Sequence, residues 1–144
     1  MSLAKLALLS FSSVLLLAGC DDFPVFDISV QVSDAVASNY SKEAPGRLYV
    51  QPKFGDGSQG VGVAVICGPE EAGKVFKYNL DYGDTCSQGE IIAWIEPEEV
   101  SGEEVKCGEE TELGVYVSDG PSGDSPQAAQ ATDCADETVS IVIE

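Results

Sequence analysis

From Phe26 onward, apolar and polar side chains alternate with a period of two, the spacing of a strand that buries one face. Phe26, Ile28, Val30 and Val32 alternate with Asp27, Ser29 and Gln31. Leu48, Val50, Pro52 and Phe54 alternate with Tyr49, Gln51 and Lys53; Pro52 lacks an N–H and marks an edge or a strand end. Val61, Val63, Val65 and Cys67 share a third face, which predicts that Cys67 points at the core. Phe76, Tyr78, Leu80 and Tyr82 form a fourth set, Leu113, Val115 and Val117 a sixth, and Val139, Ile141 and Ile143 a seventh. The fifth, Ile91-Ile92-Ala93-Trp94-Ile95, is apolar on both faces, as an interior strand covered on both sides would be.

Turn residues punctuate these runs: Ala44-Pro45-Gly46, Gly55-Asp56-Gly57, Gly68-Pro69, Tyr82-Gly83-Asp84 and Asp119-Gly120-Pro121. Ser122 to Asp133 is polar and Ala-rich and reads as a long loop held by Cys134. No amphipathic helix of useful length interrupts the alternation. The expected fold over residues 25–144 is all-β, an antiparallel sandwich of about seven strands. Its plan resembles immunoglobulin-like or transthyretin-like modules, and the two stay open.

The first 24 residues follow a different rule. Lys5 precedes an apolar run from Leu6 to Ala18, too short for a uniform membrane span and ending in small residues. That is the form of a cleaved signal peptide. Leu17-Ala18-Gly19-Cys20 resembles the lipobox of bacterial lipoproteins, and every position fits. The resemblance implies cleavage before Cys20, a diacylglyceryl group on its thiol and an acylated new amino terminus. Two acyl chains suffice for stable anchoring, so no transmembrane helix is expected in the mature protein. Residues 1–19 are then signal and 20–24 a lipidated tether, which spans at most about 15 Å. Asp21 and Asp22 are similar to the signal that retains enteric lipoproteins at the periplasmic face of the inner membrane. The outer membrane and the cell surface remain alternatives.

Composition narrows the chemistry. The chain has no histidine, which removes Ser-His-Asp and Cys-His catalysis and His-ligated metal sites. Its 144 residues carry 25 acidic and 7 basic side chains, a formal charge of −18; loss of Lys5 with the signal leaves −19. Nucleic acid, whose phosphates call for Lys and Arg, is excluded as a partner. The charge also repels the domain from anionic lipid head groups. Cys67, Cys86, Cys107 and Cys134 lie in no CxxC arrangement, and an even number in an exported small domain reads as two disulfides. Of three connectivities, the sequential one, Cys67–Cys86 with Cys107–Cys134, is the expectation.

Glu96, Glu98, Glu99, Glu103, Glu104, Glu109, Glu110 and Glu112 are relieved in their stretch by Lys106 alone. They suit a solvated loop, a docking face for a basic partner or a cation site. Acids in the Gly-rich turns 56–60, 81–84 and 119–124 could hold calcium, although none has EF-hand spacing. No nucleophile elbow or phosphate-binding loop occurs, and an enzyme with a carboxylate-lined cleft is the least favoured reading. No metal and no cofactor beyond the covalent lipid is expected. Tyr40 and Tyr49 could anchor a partner or close a core edge. The expected function is that of a non-catalytic, lipid-anchored envelope module that binds or braces another envelope protein. The alternative is a calcium- or small-ligand-binding lipoprotein.

Overall fold

β1 (Val25–Val32) and β9 (Thr138–Ile143) hold the two ends of the described chain side by side. The computed structural model describes residues 25–53, 59–81, 89–100, 106–109, 116–132 and 138–144. β1 pairs in parallel with β9, from Asp27 opposite Thr138 to Val32 opposite Ile143, and antiparallel with β4 (Phe76–Asp81). These three strands form the smaller sheet, in the order β4-β1-β9. The larger sheet contains β2 (Gly46–Lys53), β3 (Gly60–Ile66), β5 (Gly89–Pro97), β6 (Gly108–Glu109) and β8 (Gln127–Thr132), in the order β6-β3-β2-β5-β8. A two-residue strand β7 (Val117–Ser118) also pairs with β3. The fold is an all-β sandwich.

One apolar layer joins the sheets. Ile28, Val30, Val32, Phe76, Val139, Ile141 and Ile143 of the smaller sheet meet Leu48, Val50, Val63, Ala64, Ile66, Ile91, Ala93 and Ile95 of the larger. Each buried Val, Leu or Ile contributes about 1.5–3 kcal/mol through loss of apolar surface from water. After β1 the chain makes a single helical turn, α1 (Asp34–Ala37), which buries Val36 and Ala37. Ser33 starts it: its hydroxyl accepts from Val36 N at 3.3 Å and its own N–H donates to Ile143 O at 2.8 Å.

Two expectations change. The residues from Gln127 to Thr132, expected within a loop, form β8, paired with β5 from Trp94–Gln127 to Gly89–Thr132. Ala and Gln have weak strand propensity, but a ladder offered by β5 satisfies their backbone, so pairing overrides propensity. Along β3 the pattern slips: Leu48 faces Ala64 but Tyr49 faces Gly62, leaving Val63 as an extra residue. That bulge puts Ala64 and Ile66 in the core with Val63, while Val65 is not part of that cluster; Cys67 lies beyond the strand and is half-buried. Of the sixth expected strand, only Val117 belongs to a strand among the described residues; Leu113 and Val115 lie outside them, as do Phe54 and Tyr82 of two other sets.

The sandwich has two distinct ends. At one lie the start of β1 and the end of β4, joined by Val25–Asp81 pairing, with the start of β9 beside them. At the other lie the end of β1, α1 and the start of β2. There Gly73 N donates to Val32 O at 3.0 Å and Glu98 N to Pro45 O at 2.9 Å. Glu98 and Glu99 leave β5 at this second end, opposite the one where β1 begins.

Candidate functional site

The second face of the larger sheet is buried as well, by a segment the alternation pattern does not announce. β2–β5 register sets Tyr49 opposite Trp94 and Gln51 opposite Ile92. Arg47, Tyr49, Gln51, Ile92 and Trp94 are all buried on this side. β7 hydrogen-bonds to β3, on one flank, and Ile95 N donates to Pro126 O at 3.0 Å on the other. The chain from Tyr116 to Pro126 therefore crosses over β2 and β5. Gly120 stands above Gln51, with a positive φ of 138° that an L side chain rarely adopts.

The chain's only arginine and only tryptophan both lie under this cover. Arg47 Nε donates to Glu98 Oε2 at 2.7 Å, and its guanidinium carbon lies 3.3 Å from the Tyr116 ring centroid. Arg47 is 4 % exposed, and among the described residues the Glu98 carboxylate and the Tyr116 ring face its charge. Tyr49 stacks on Trp94 with centroids 5.4 Å apart and planes 16° from parallel. Trp94 Nε1 is buried with no hydrogen-bond partner among the described residues. Of the two roles open to Tyr49 and Tyr40, partner anchor or core-edge cap, the packing role is the one seen: Tyr49 is buried and Tyr40 is half-buried against the core.

The acidic stretch divides. Glu98 is tied to Arg47, Glu96 lies half-buried near the end of β5, and Glu99 is exposed. Glu109 ends β6, while Glu103, Glu104, Glu110 and Glu112 lie outside the described residues. Sequence reading set Lys106 alone against these acids and missed Arg47, 51 positions from Glu98. The available signal was the single arginine inside an alternating strand, a place where a cation needs a partner.

Cysteine pairing is corrected. Cys67 and Cys107 form a disulfide with Cα atoms 5.7 Å apart, which rules out the sequential connectivity. The reason is β6: pairing of Val65 with Gly108 delivers Cys107 to the end of β3, beside Cys67. Glu71, 3 % exposed, steadies this corner by accepting from Cys67 N at 3.0 Å, with Lys74 Nζ at 3.8 Å from its other oxygen. Cys20, Cys86 and Cys134 lie outside the described residues.

Of the turn acids considered for calcium, Asp119 accepts from Gln59 Nε2 at 3.3 Å and Asp124 is exposed. Asp56 and Asp84 lie outside the described residues. Among the described residues no three Cys, Asp or Glu side chains gather as metal ligands. Likewise no described helix is long and apolar enough to cross a membrane. No family model, no characterised protein and no solved structure matches this chain.

Proposed function

We propose that the chain is a lipid-anchored envelope protein, a non-catalytic module that binds or braces another envelope component. The observation that carries this reading is Leu17-Ala18-Gly19-Cys20, set at the end of an apolar run and only five residues before Val25 begins β1. Acyl chains on Cys20 would hold the domain within about 17 Å of the bilayer surface. The end where β1 starts would then face the lipid. Glu98 and Glu99, at the opposite end, would face away from it, where repulsion between the acidic domain and anionic lipid also directs them. Asp21 and Asp22 favour the periplasmic face of the inner membrane as the site of residence.

The test is fractionation of cells expressing the wild-type chain or Cys20→Ser. Wild type is expected in the membrane fraction, its N-terminal peptide carrying an acyl mass shift; the variant is expected as unprocessed precursor or free protein. Unmodified mature protein starting beyond Cys20 would refute the anchor. Separation of inner from outer membranes decides the residence.

A further inference from the structure

Trp94 and the chain that crosses over it are held to very different degrees. β2 lies between β3 and β5, and the Trp94 indole reaches across it, so that Cη2 would meet a Cβ placed at Gly60 of β3. The ring is fully buried, yet its Nε1 has no hydrogen-bond acceptor among the described residues. A buried N–H without an acceptor is a cost of the closed arrangement, and contact with water relieves it.

The cover gives little in return. Asp119-Gly120-Pro121-Ser122-Gly123-Asp124-Ser125 contains one apolar side chain, Pro121, and no residue from Tyr116 to Pro126 is buried. Its two ends are fixed to the larger sheet. On the β3 side Tyr116 O accepts from Gly62 N at 3.0 Å, β7 pairs with β3, and the Tyr116 ring lies on Arg47. On the β5 side Pro126 O accepts from Ile95 N at 3.0 Å. Between these anchors, Asp119 accepts from Gln59 Nε2 at 3.3 Å, an exposed bond. From Gly120 to Ser125 the hydrogen bonds among the described residues stay local. Gly120 N donates to Ser118 Oγ, Ser125 N donates to Ser122 O, and the Ser122 and Ser125 hydroxyls meet at 2.7 Å. Lifting these residues therefore breaks no ladder hydrogen bond of either sheet. Segments with few buried apolar contacts open at a lower free energy than the whole domain unfolds.

We propose that residues 119–125 are a lid over Trp94, which opens as a local unit about Ser118 and Pro126 while both sheets stay folded. Opening gives the indole N–H an acceptor in water and a path from solvent to the Tyr49–Trp94 layer; closing shuts both off. Cys20 and the bilayer play no part in this motion, so failure of the lid and failure of the anchor are separate results.

The chain's only tryptophan gives a single indole N–H signal, which makes it the probe. Hydrogen exchange is followed by NMR on the full chain in zwitterionic detergent. The indole N–H is expected to be protected about a hundredfold less than the slowest amides of the β2–β5 ladder. Low urea should accelerate those amides and leave the indole rate unchanged, because lifting the lid exposes little surface. Ile141→Val, in the core of the smaller sheet, should likewise speed the ladder amides without moving the indole rate. Gly123→Ala places a Cβ in open space at a φ outside the left-handed region. It restricts the open lid more than the closed one and should slow indole exchange about two- to fivefold. Indole protection equal to that of the ladder, with the same response to urea and to Ile141→Val, means that only global unfolding reaches Trp94 and overturns the proposal. An indole rate unmoved by Gly123→Ala overturns it as well, by showing that these residues do not gate the ring.

Discussion

A Cβ added at Gly60 would overlap the outer edge of the Trp94 indole, at Cη2 and Cζ2. Trp94 is fully buried, and β3 gives it room only because position 60 has no side chain. Gly60→Ala must therefore push a ring whose face is stacked on Tyr49. The expected cost is about 2–3 kcal/mol, the upper range for forcing extra volume into a packed layer. Denaturant unfolding measures it, and Trp94 emission should shift to the red. An unchanged midpoint would mean that the indole can move aside freely.

Arg47 joins the same layer to the acidic end. Arg47→Ala removes its ion pair with Glu98 and its contact with the Tyr116 ring, for an expected loss of about 3 kcal/mol. Glu98→Gln keeps an acceptor for Arg47 Nε and leaves the ring contact, so it should cost about 1 kcal/mol. A double-mutant cycle separates the pair from the packing. Equal losses in the two single variants would show that the carboxylate charge, not the stacked guanidinium, dominates.

Cys67–Cys107 spans 40 positions, and in the chain-entropy model closing such a loop stabilises by about 4 kcal/mol. Two cysteines are then left to each other. Gly89 pairs with Thr132; Cys86 precedes Gly89 by three residues and Cys134 follows Thr132 by two, so both chains leave one end of one ladder. A Cys86–Cys134 bridge is the expected second disulfide. Peptide mapping without reduction should recover it beside Cys67–Cys107, with none of the four thiols labelled in denaturant. Free Cys86 and Cys134 would defeat the expectation.

Burial raises the pKa of Tyr40 and of Tyr78 above the ordinary 10.0. The fold therefore favours the neutral phenols, and the unfolded chain releases those protons first. Their contribution is complete below about pH 10 and is lost as pH rises above it, so stability should fall on the alkaline side. Unfolding midpoints measured from about pH 8 to pH 11 test this. Tyr78→Phe should flatten the decline, and an identical slope in that variant would assign the loss to other groups.

Strand periodicity was legible wherever one face meets the core and the other meets water. β1, β4 and β9 follow their alternation, and the two-sided apolar run around Trp94 is an interior strand because both its faces are covered. Local pattern could not announce β8, whose Ala and Gln side chains carry no strand signal and whose place comes from the hydrogen bonds β5 offers. Nor could it announce the bulge in β3, since a register shift depends on the facing strand. Arg47 meeting Glu98 and Cys67 meeting Cys107 are decisions of the same kind. By itself the sequence determined the all-β class, the exclusion of histidine chemistry and the acidic surface, which follow from residue type and spacing. Only the tertiary structure decided which cysteine meets which and which acid is neutralised, because those depend on residues dozens of positions apart being brought within bonding distance.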